Sequence, residues 1–225
     1  VTTGNRSSPC PTATGLPEPN AVLRDTEWAD PDLYTAIGDA QWVPATLRAL
    51  LDPDPAAQSK ALDDLEPVSH QSSIYPATVP VAQYIAAILA DPRTATDCMF
   101  GWWREPKDRR APLRSELIIW LRDLIWDAED SPHDDPDVAA VLAMRPTLFT
   151  AIAPFLHDDD PTTRLAALAA AVLLTEDRQL VHHRAEIAER VGIALDGGTA
   201  TDPDIQSARD TSYALTIAAR RVAWR

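Results

Sequence analysis

Glycine is scarce in this chain, with 7 in 225 residues. Backbone positions that need a left-handed conformation are then hard to fill, so few strands and hairpin turns are expected. Cysteine is scarcer, with 2, which is no disulfide framework; a single Cys10–Cys98 bridge is the most the sequence permits. No apolar run reaches about 18 residues, so no transmembrane helix is expected. No basic-plus-apolar leader follows Val1, and the expected location is the cytoplasm, with no membrane partner. Lysine is confined to Lys60 and Lys107 against 18 arginines; with the richness in alanine, this suggests a GC-rich bacterial genome. Positive charge as a whole is short, since 20 basic against 34 acidic side chains leave a net −14. Such a balance repels a phosphate backbone and argues against nucleic acid as partner, while it suits a basic protein.

What is abundant is Ala, Leu and Asp, together with 20 Pro. Nearly every proline falls in the N-terminal arm, in a connection, or where a helix could begin, the places an α protein tolerates it. The expected fold class is all-α. One short pattern occurs twice, 106 residues apart: Leu50-Leu51-Asp52-Pro53-Asp54-Pro55 through Ala61-Leu62, and Leu156-His157-Asp158-Asp159-Asp160-Pro161 through Ala167-Leu168. Leu, Asp, Asp, Pro, Ala and Leu recur in register at offsets 0, 2, 4, 5, 11 and 12. Each copy closes one helix, turns on aspartate and opens another with proline in its first turn. Stacked helical hairpins have this form, and their product is a surface for binding.

Residues 1–24, rich in Pro, Thr and Ser, read as a flexible arm, and residues 25–225 as a single helical repeat domain. Trp28, Leu33, Tyr34 and Ile37 space as one face of a short helix. Val43, Leu47, Leu50 and Leu51 form the next apolar stripe, and Val81, Tyr84, Ile85, Ile88 and Leu89 a third. Residues 92–111 interrupt the rhythm and read as an insertion, long for a connection in a compact repeat. The helix after it, through Leu113, Leu117, Trp120, Leu121, Leu124 and Ile125, is apolar enough to be central and covered on more than one side. Pro154 is expected to bend a later helix. The last helix is expected over about Asp204–Ala223, making roughly nine to eleven in all.

The hairpin pattern at Asp54-Pro55 through Leu62, and at Asp160-Pro161-x-x-Arg164-x-x-Ala167-Leu168, resembles HEAT repeats. The run from Trp42-Val43-Pro44 to His70-Gln71-Ser72-Ser73-Ile74-Tyr75-Pro76-Ala77-Thr78-Val79-Pro80 is similar to a block in actinobacterial HEAT-repeat proteins. Two departures stand out: Gln58 replaces the arginine that Arg164 supplies in the second copy, and the 92–111 insertion has no place in a standard repeat. The resemblance implies a right-handed α-solenoid of HEAT-like helical hairpins over about residues 28–220. HEAT arrays mostly bind proteins, and some HEAT-like proteins are alkylbase DNA glycosylases, so the fold leaves the activity open.

Three acidic clusters invite a metal: Asp52/Asp54, Asp134/Asp135/Asp137 and Asp158/Asp159/Asp160. None has the alternating ligand spacing of a calcium loop, and each precedes a predicted helix, so they read as caps complementing the helix dipole. His182, His183 and Glu186 are placed on one helix, where adjacent histidines diverge by about 100° and suit a solvated face better than zinc. His70, Gln71, Ser72, Ser73 and Tyr75 crowd polar groups into one turn. They either hold the turn's shape or touch a ligand; no oxyanion-hole glycine motif or defined acid accompanies the Ser/His pair. Trp102 and Trp103, beside Phe100, Arg104, Lys107, Arg109 and Arg110, form the one basic, aromatic patch on an acidic chain, and Trp and Arg dominate interface energetics. The functional reading is a non-enzymatic binding module without cofactor or metal. Its expected partner is a protein, a basic one for an inhibitor or immunity-type role, contacted through Trp102, Trp103, Arg104, His70, Gln71, Tyr75 and Trp120. The alternatives are a base-processing enzyme, which needs a cationic concave face, and a small-molecule site lined by Trp120, Tyr75 and His70.

Overall fold

A computed structural model describes residues 15–100 and 109–196. The chain is mostly helical. The expected last helix lies outside the described residues.

The first helix, α1 (Pro19–Asp25), falls at the end of the stretch read as an arm. The Glu18 carboxylate accepts from the Ala21 amide at 3.0 Å, Val22 and Leu23 are buried, and the Trp28 indole N–H donates to the Leu23 carbonyl at 3.1 Å. The helix expected through Leu33, Tyr34 and Ile37 is not there. A short antiparallel pair, β1 (Tyr34–Thr35) and β2 (Gly38–Asp39), takes its place. Gly38 sits at φ +115, a backbone setting open to glycine and not to an L side chain. Thr35 faces inward while Tyr34 and Ile37 stay 47% and 71% exposed, so the apparent helical stripe was a coincidence of spacing.

Next come α2 (Val43–Ala49) and α3 (Pro55–Asp64). Two single 3-10 turns, Glu66–Val68 and His70–Ser72, lead into α4 (Thr78–Ile88). The described ends of the 92–111 insertion are not irregular. They form a ladder of β3 (Asp97–Phe100) with β4 (Arg109–Pro112), Asp97 opposite Pro112 and Phe100 opposite Arg109. Cys98 and Phe100 alternate inward against exposed Asp97 and Met99, the period of a half-buried strand. Cys98 is a buried free cysteine; Cys10 lies outside the described residues.

The long helix α5 (Leu113–Asp130) buries Leu113, Leu117, Ile118, Leu121, Leu124 and Ile125; each such side chain contributes about 1.5–3 kcal/mol on leaving water. Pro136–His157, 22 residues, is apolar enough by composition to resemble a membrane span, with mean hydropathy 1.5 over its most apolar 18 residues. It is nonetheless divided into α6 (Pro136–Ala143), α7 (Arg145–Ile152) and a 3-10 turn, Ala153–His157. Pro146 and Pro154 withhold the amides that would make it continuous. Then α8 (Pro161–Leu174) presents small residues, Ala166, Ala167 and Ala169 to Ala171, all buried, which let it lie closely against α5. His182 and His183 end a 3-10 turn, Arg178–His183, and do not share a helix with Glu186 in α9 (Arg184–Asp196).

Contacts run in two rows. In one, α2 meets α4, and α4 meets α6 and α7; in the other, α3 meets α5, and α5 meets α8. Across the rows, α2 packs on α3, α4 on α5 and α7 on α8. Helix α1 lies on α4 and α9 on α8. The buried apolar side chains form one continuous cluster.

Candidate functional site

The acidic clusters do local work. Asp54 accepts from the Ala56 amide at 3.0 Å, Asp135 from Asp137 at 2.8 Å and Asp160 from Thr163 at 2.7 Å. Each is the N-cap of its helix, holding an amide the first turn leaves unpaired. Among the described residues no three His, Cys, Asp or Glu side chains converge as a metal set would.

Trp102, Trp103 and Arg104 lie outside the described residues. Trp120 is in the core wall of α5, 8% exposed. His70, Gln71 and Tyr75 fall on the connection between α3 and α4, which is tightly held. Gln71 and Ser72 both adopt a left-handed backbone, at φ 51 and 60, costing about 1–3 kcal/mol each for non-glycine residues. Fixing contacts surround them. Thr78, fully buried, donates its hydroxyl to the Val68 carbonyl at 2.7 Å and accepts from the Tyr75 amide at 3.0 Å. Asp127 of α5 lies near Ser72, which favours its charged form, but burial pushes its carboxyl above the usual range. The His70 ring pairs with the Glu66 carboxylate through Nδ1. His70 and Ser72 are thus engaged with different elements and make no nucleophile–base pair.

The β1–β2 turn docks on this connection. The Ala36 amide donates to the Pro67 carbonyl at 2.9 Å and the Ala77 amide to the Tyr34 carbonyl at 3.3 Å. The rings of Tyr34 and Tyr75 meet edge to face at 6.3 Å. Beside the join opens a cleft of about 810 Å³, lined by Ile37, Trp42, Thr46, Asp63, Asp64, Glu66 and Pro67. Ile37 stands on its lip, Trp42 forms an aromatic wall, and three carboxylates from the end of α3 and the following turn line it. Asp64 is paired with Lys60 and Glu66 with His70. The Trp42 Nε1 is buried without a hydrogen-bond acceptor. An open, apolar cleft with acidic edges can seat an apolar group flanked by cations.

His70, Tyr75 and Trp120 do not line this cleft; His70 meets it only through its pair with Glu66. Sequence reading missed Ile37 and Trp42 as surface candidates, because spacing assigned Ile37 to a helix face. The available signal was Gly38, which marks a turn and so frees its neighbour to project.

Comparison with known protein families, with characterised proteins and with solved structures returns no match for this chain.

Proposed function

We propose that the chain is a right-handed, HEAT-like α-solenoid that binds a protein partner and carries no reaction of its own. The observation that carries this reading is the pair of contact rows. Helices α2, α4 and α6–α7 succeed one another on one side, and α3, α5 and α8 on the other. Three hairpins stacked side by side produce that alternation, each burying its apolar face on the next. The duplicated aspartate turns fall at equivalent corners of the first and third hairpins. The net charge of −14 makes a basic partner the favoured one, as an inhibitor or immunity-type protein would have, with association speeded by long-range attraction.

The test is capture from the native host at low salt, followed by titration of the purified captured protein at about 50 and 200 mM salt. A stoichiometric complex with a basic protein, weaker at the higher salt, is expected. A duplex-DNA gel shift at low salt separates the enzymatic alternative: retardation of DNA would favour base processing over protein binding.

A further inference from the structure

Resting on the binding-scaffold reading, we propose that the cleft between the β1–β2 turn, α2 and the end of α3 is its docking slot. The occupant is a short segment of the partner that presents a bulky apolar side chain flanked by arginine or lysine.

Three observations converge here. First, Ile37 is 71% exposed on a turn whose shape is already fixed, by Gly38 at φ +115 and by the Ala36–Pro67 hydrogen bond at 2.9 Å. A preordered apolar side chain loses little further freedom when a partner covers it. Second, Ile37, Trp42 and Pro67 provide the apolar lining, so an aliphatic or aromatic anchor gains by leaving water there. Third, the charged groups lining the slot are all acidic. Asp63, Asp64 and Glu66 line it; Asp64 and Glu66 are held by exposed pairs with Lys60 and His70, which are weak in water and can be exchanged for an incoming cation. The lining therefore favours a cationic flank and penalises an anionic one, and Trp42 adds an aromatic face for cation–π contact.

The slot is open along one side, whereas sites for small ligands enclose most of the molecule they hold. A polypeptide segment that runs on beyond an open cleft fits it.

The experiment is selection of a randomised peptide display library on the full chain and on the Ile37→Ser variant. Affinities of one synthetic enriched peptide are then measured for the wild type, Ile37→Ser and Asp64→Asn/Glu66→Gln. The wild type should enrich sequences with a bulky apolar residue beside Arg or Lys. The enriched peptide should lose about ten-fold or more in affinity for Ile37→Ser, as expected for an uncovered apolar anchor. For Asp64→Asn/Glu66→Gln the loss should be about three- to ten-fold and should fade in high salt. Backbone amide shifts on adding the peptide to unmodified protein should cluster at residues 36–38, 42 and 63–67, which keeps the test decisive if a variant unfolds. A consensus that is acidic or lacks an apolar anchor overturns the proposal, as does equal enrichment on both proteins. So do amide shifts confined to another face; a basic protein partner that still binds Ile37→Ser at full strength would then leave the scaffold reading standing while this slot falls. Failure of both peptide selection and partner capture would remove both.

Discussion

The two copies of the aspartate turn share their inner wiring and differ in what they are fastened to. In each, the first aspartate accepts from the backbone amide of the second: Asp52 from Asp54 at 2.8 Å, Asp158 from Asp160 at 2.9 Å. The second aspartate then caps the helix that follows. Leu50, Ala61 and Leu62 are buried in one copy as Leu156, Ala167 and Leu168 are in the other. At offset 8 the copies part. Gln58 is 1% exposed; its amide donates to the Arg93 carbonyl at 3.2 Å and accepts from the Cys98 thiol at 3.3 Å. Arg164 is exposed and bonds only back to its own turn, at the Asp158 and Asp159 carbonyls. An arginine from the neighbouring unit reaches each corner, again differently. Arg93 donates to the Leu51 carbonyl at 3.2 Å from an exposed position. Arg114 is buried enough to sit over the Phe155 ring at 4.8 Å. It bonds the Leu89 carbonyl at 2.7 Å and the Asp91 carbonyl at 3.2 Å, and reaches Asp158 at 3.5 Å. A turn is therefore a local property, and its attachment is a property of whatever packs above it. At the first corner that is the β3–β4 ladder.

The largest effect should come from making the copies alike. Gln58→Arg places a charge where the ladder and α3 exclude water, and about 3–5 kcal/mol of stability should be lost. The reciprocal Arg164→Gln should cost under about 1 kcal/mol, as exposed polar contacts do. Urea unfolding of the two variants reads the asymmetry, and equal losses would break the comparison. Arg114→Ala should follow at about 2–4 kcal/mol, because it strips several carbonyls of a charged donor at once. If it matched the loss for Arg93→Ala, the two corners would be fastened equally. Removing the shared element should cost the same in both places: Asp54→Ala and Asp160→Ala at about 1 kcal/mol each, measured by thermal melts with the cap restored by Asn.

The smallest differences lie in pH dependence. The Arg93 hydrogen bond, with its charge, holds the Asp91 carboxyl below the ordinary carboxylate range, against a smaller push from burial. A lowered folded value adds stability above the unfolded value, and that stability is lost as the pH falls through the lowered one. Asp91→Asn should therefore be less stable than the wild type near about pH 7, with the gap closing in acid. Burial acts on Asp127 in the opposite sense: its ionised form is a burden at neutral pH, relieved as the pH falls through the raised value. Asp127→Asn should match or slightly exceed the wild type near neutrality and lose that margin in acid. Urea midpoints across about pH 2–7 compare the pair, Asp127 responding in the upper part of that range and Asp91 below about pH 4. Cys98 offers a cruder check, since burial raises its thiol to about 11. It should resist a thiol reagent until the chain unfolds, unlike a thiolate on an open loop.

Much of the helical layout was legible because its signals are local. Asp54-Pro55, Asp135-Pro136 and Asp160-Pro161 mark helix starts by chemistry that needs no partner. The stripe through Leu113 and Leu124 marks a covered helix by period alone. The stretch from Trp28 to Ile37 misled because four apolar residues at helical spacing fit a turn equally well once Gly38 bends the chain. The ladder at 97–100 was hidden because Cys98 and Phe100 give only one alternation, too short for a period to register. Of the cleft, no residue singled out from the sequence as a site is in the lining, and His70 meets it only through its pair with Glu66. It is assembled from the β1–β2 turn, α2 and α3, which nothing in the order of residues brings together.

By itself the sequence determined where helices begin and how the paired corners are capped, since those depend on amides and carboxylates a few residues apart. The tertiary structure alone decided that Gln58 is a buried bridge while Arg164 stays in water, and that Ile37 and Trp42 share one cleft. Burial and juxtaposition depend on what another segment covers, and the same side chain takes either role according to its neighbours.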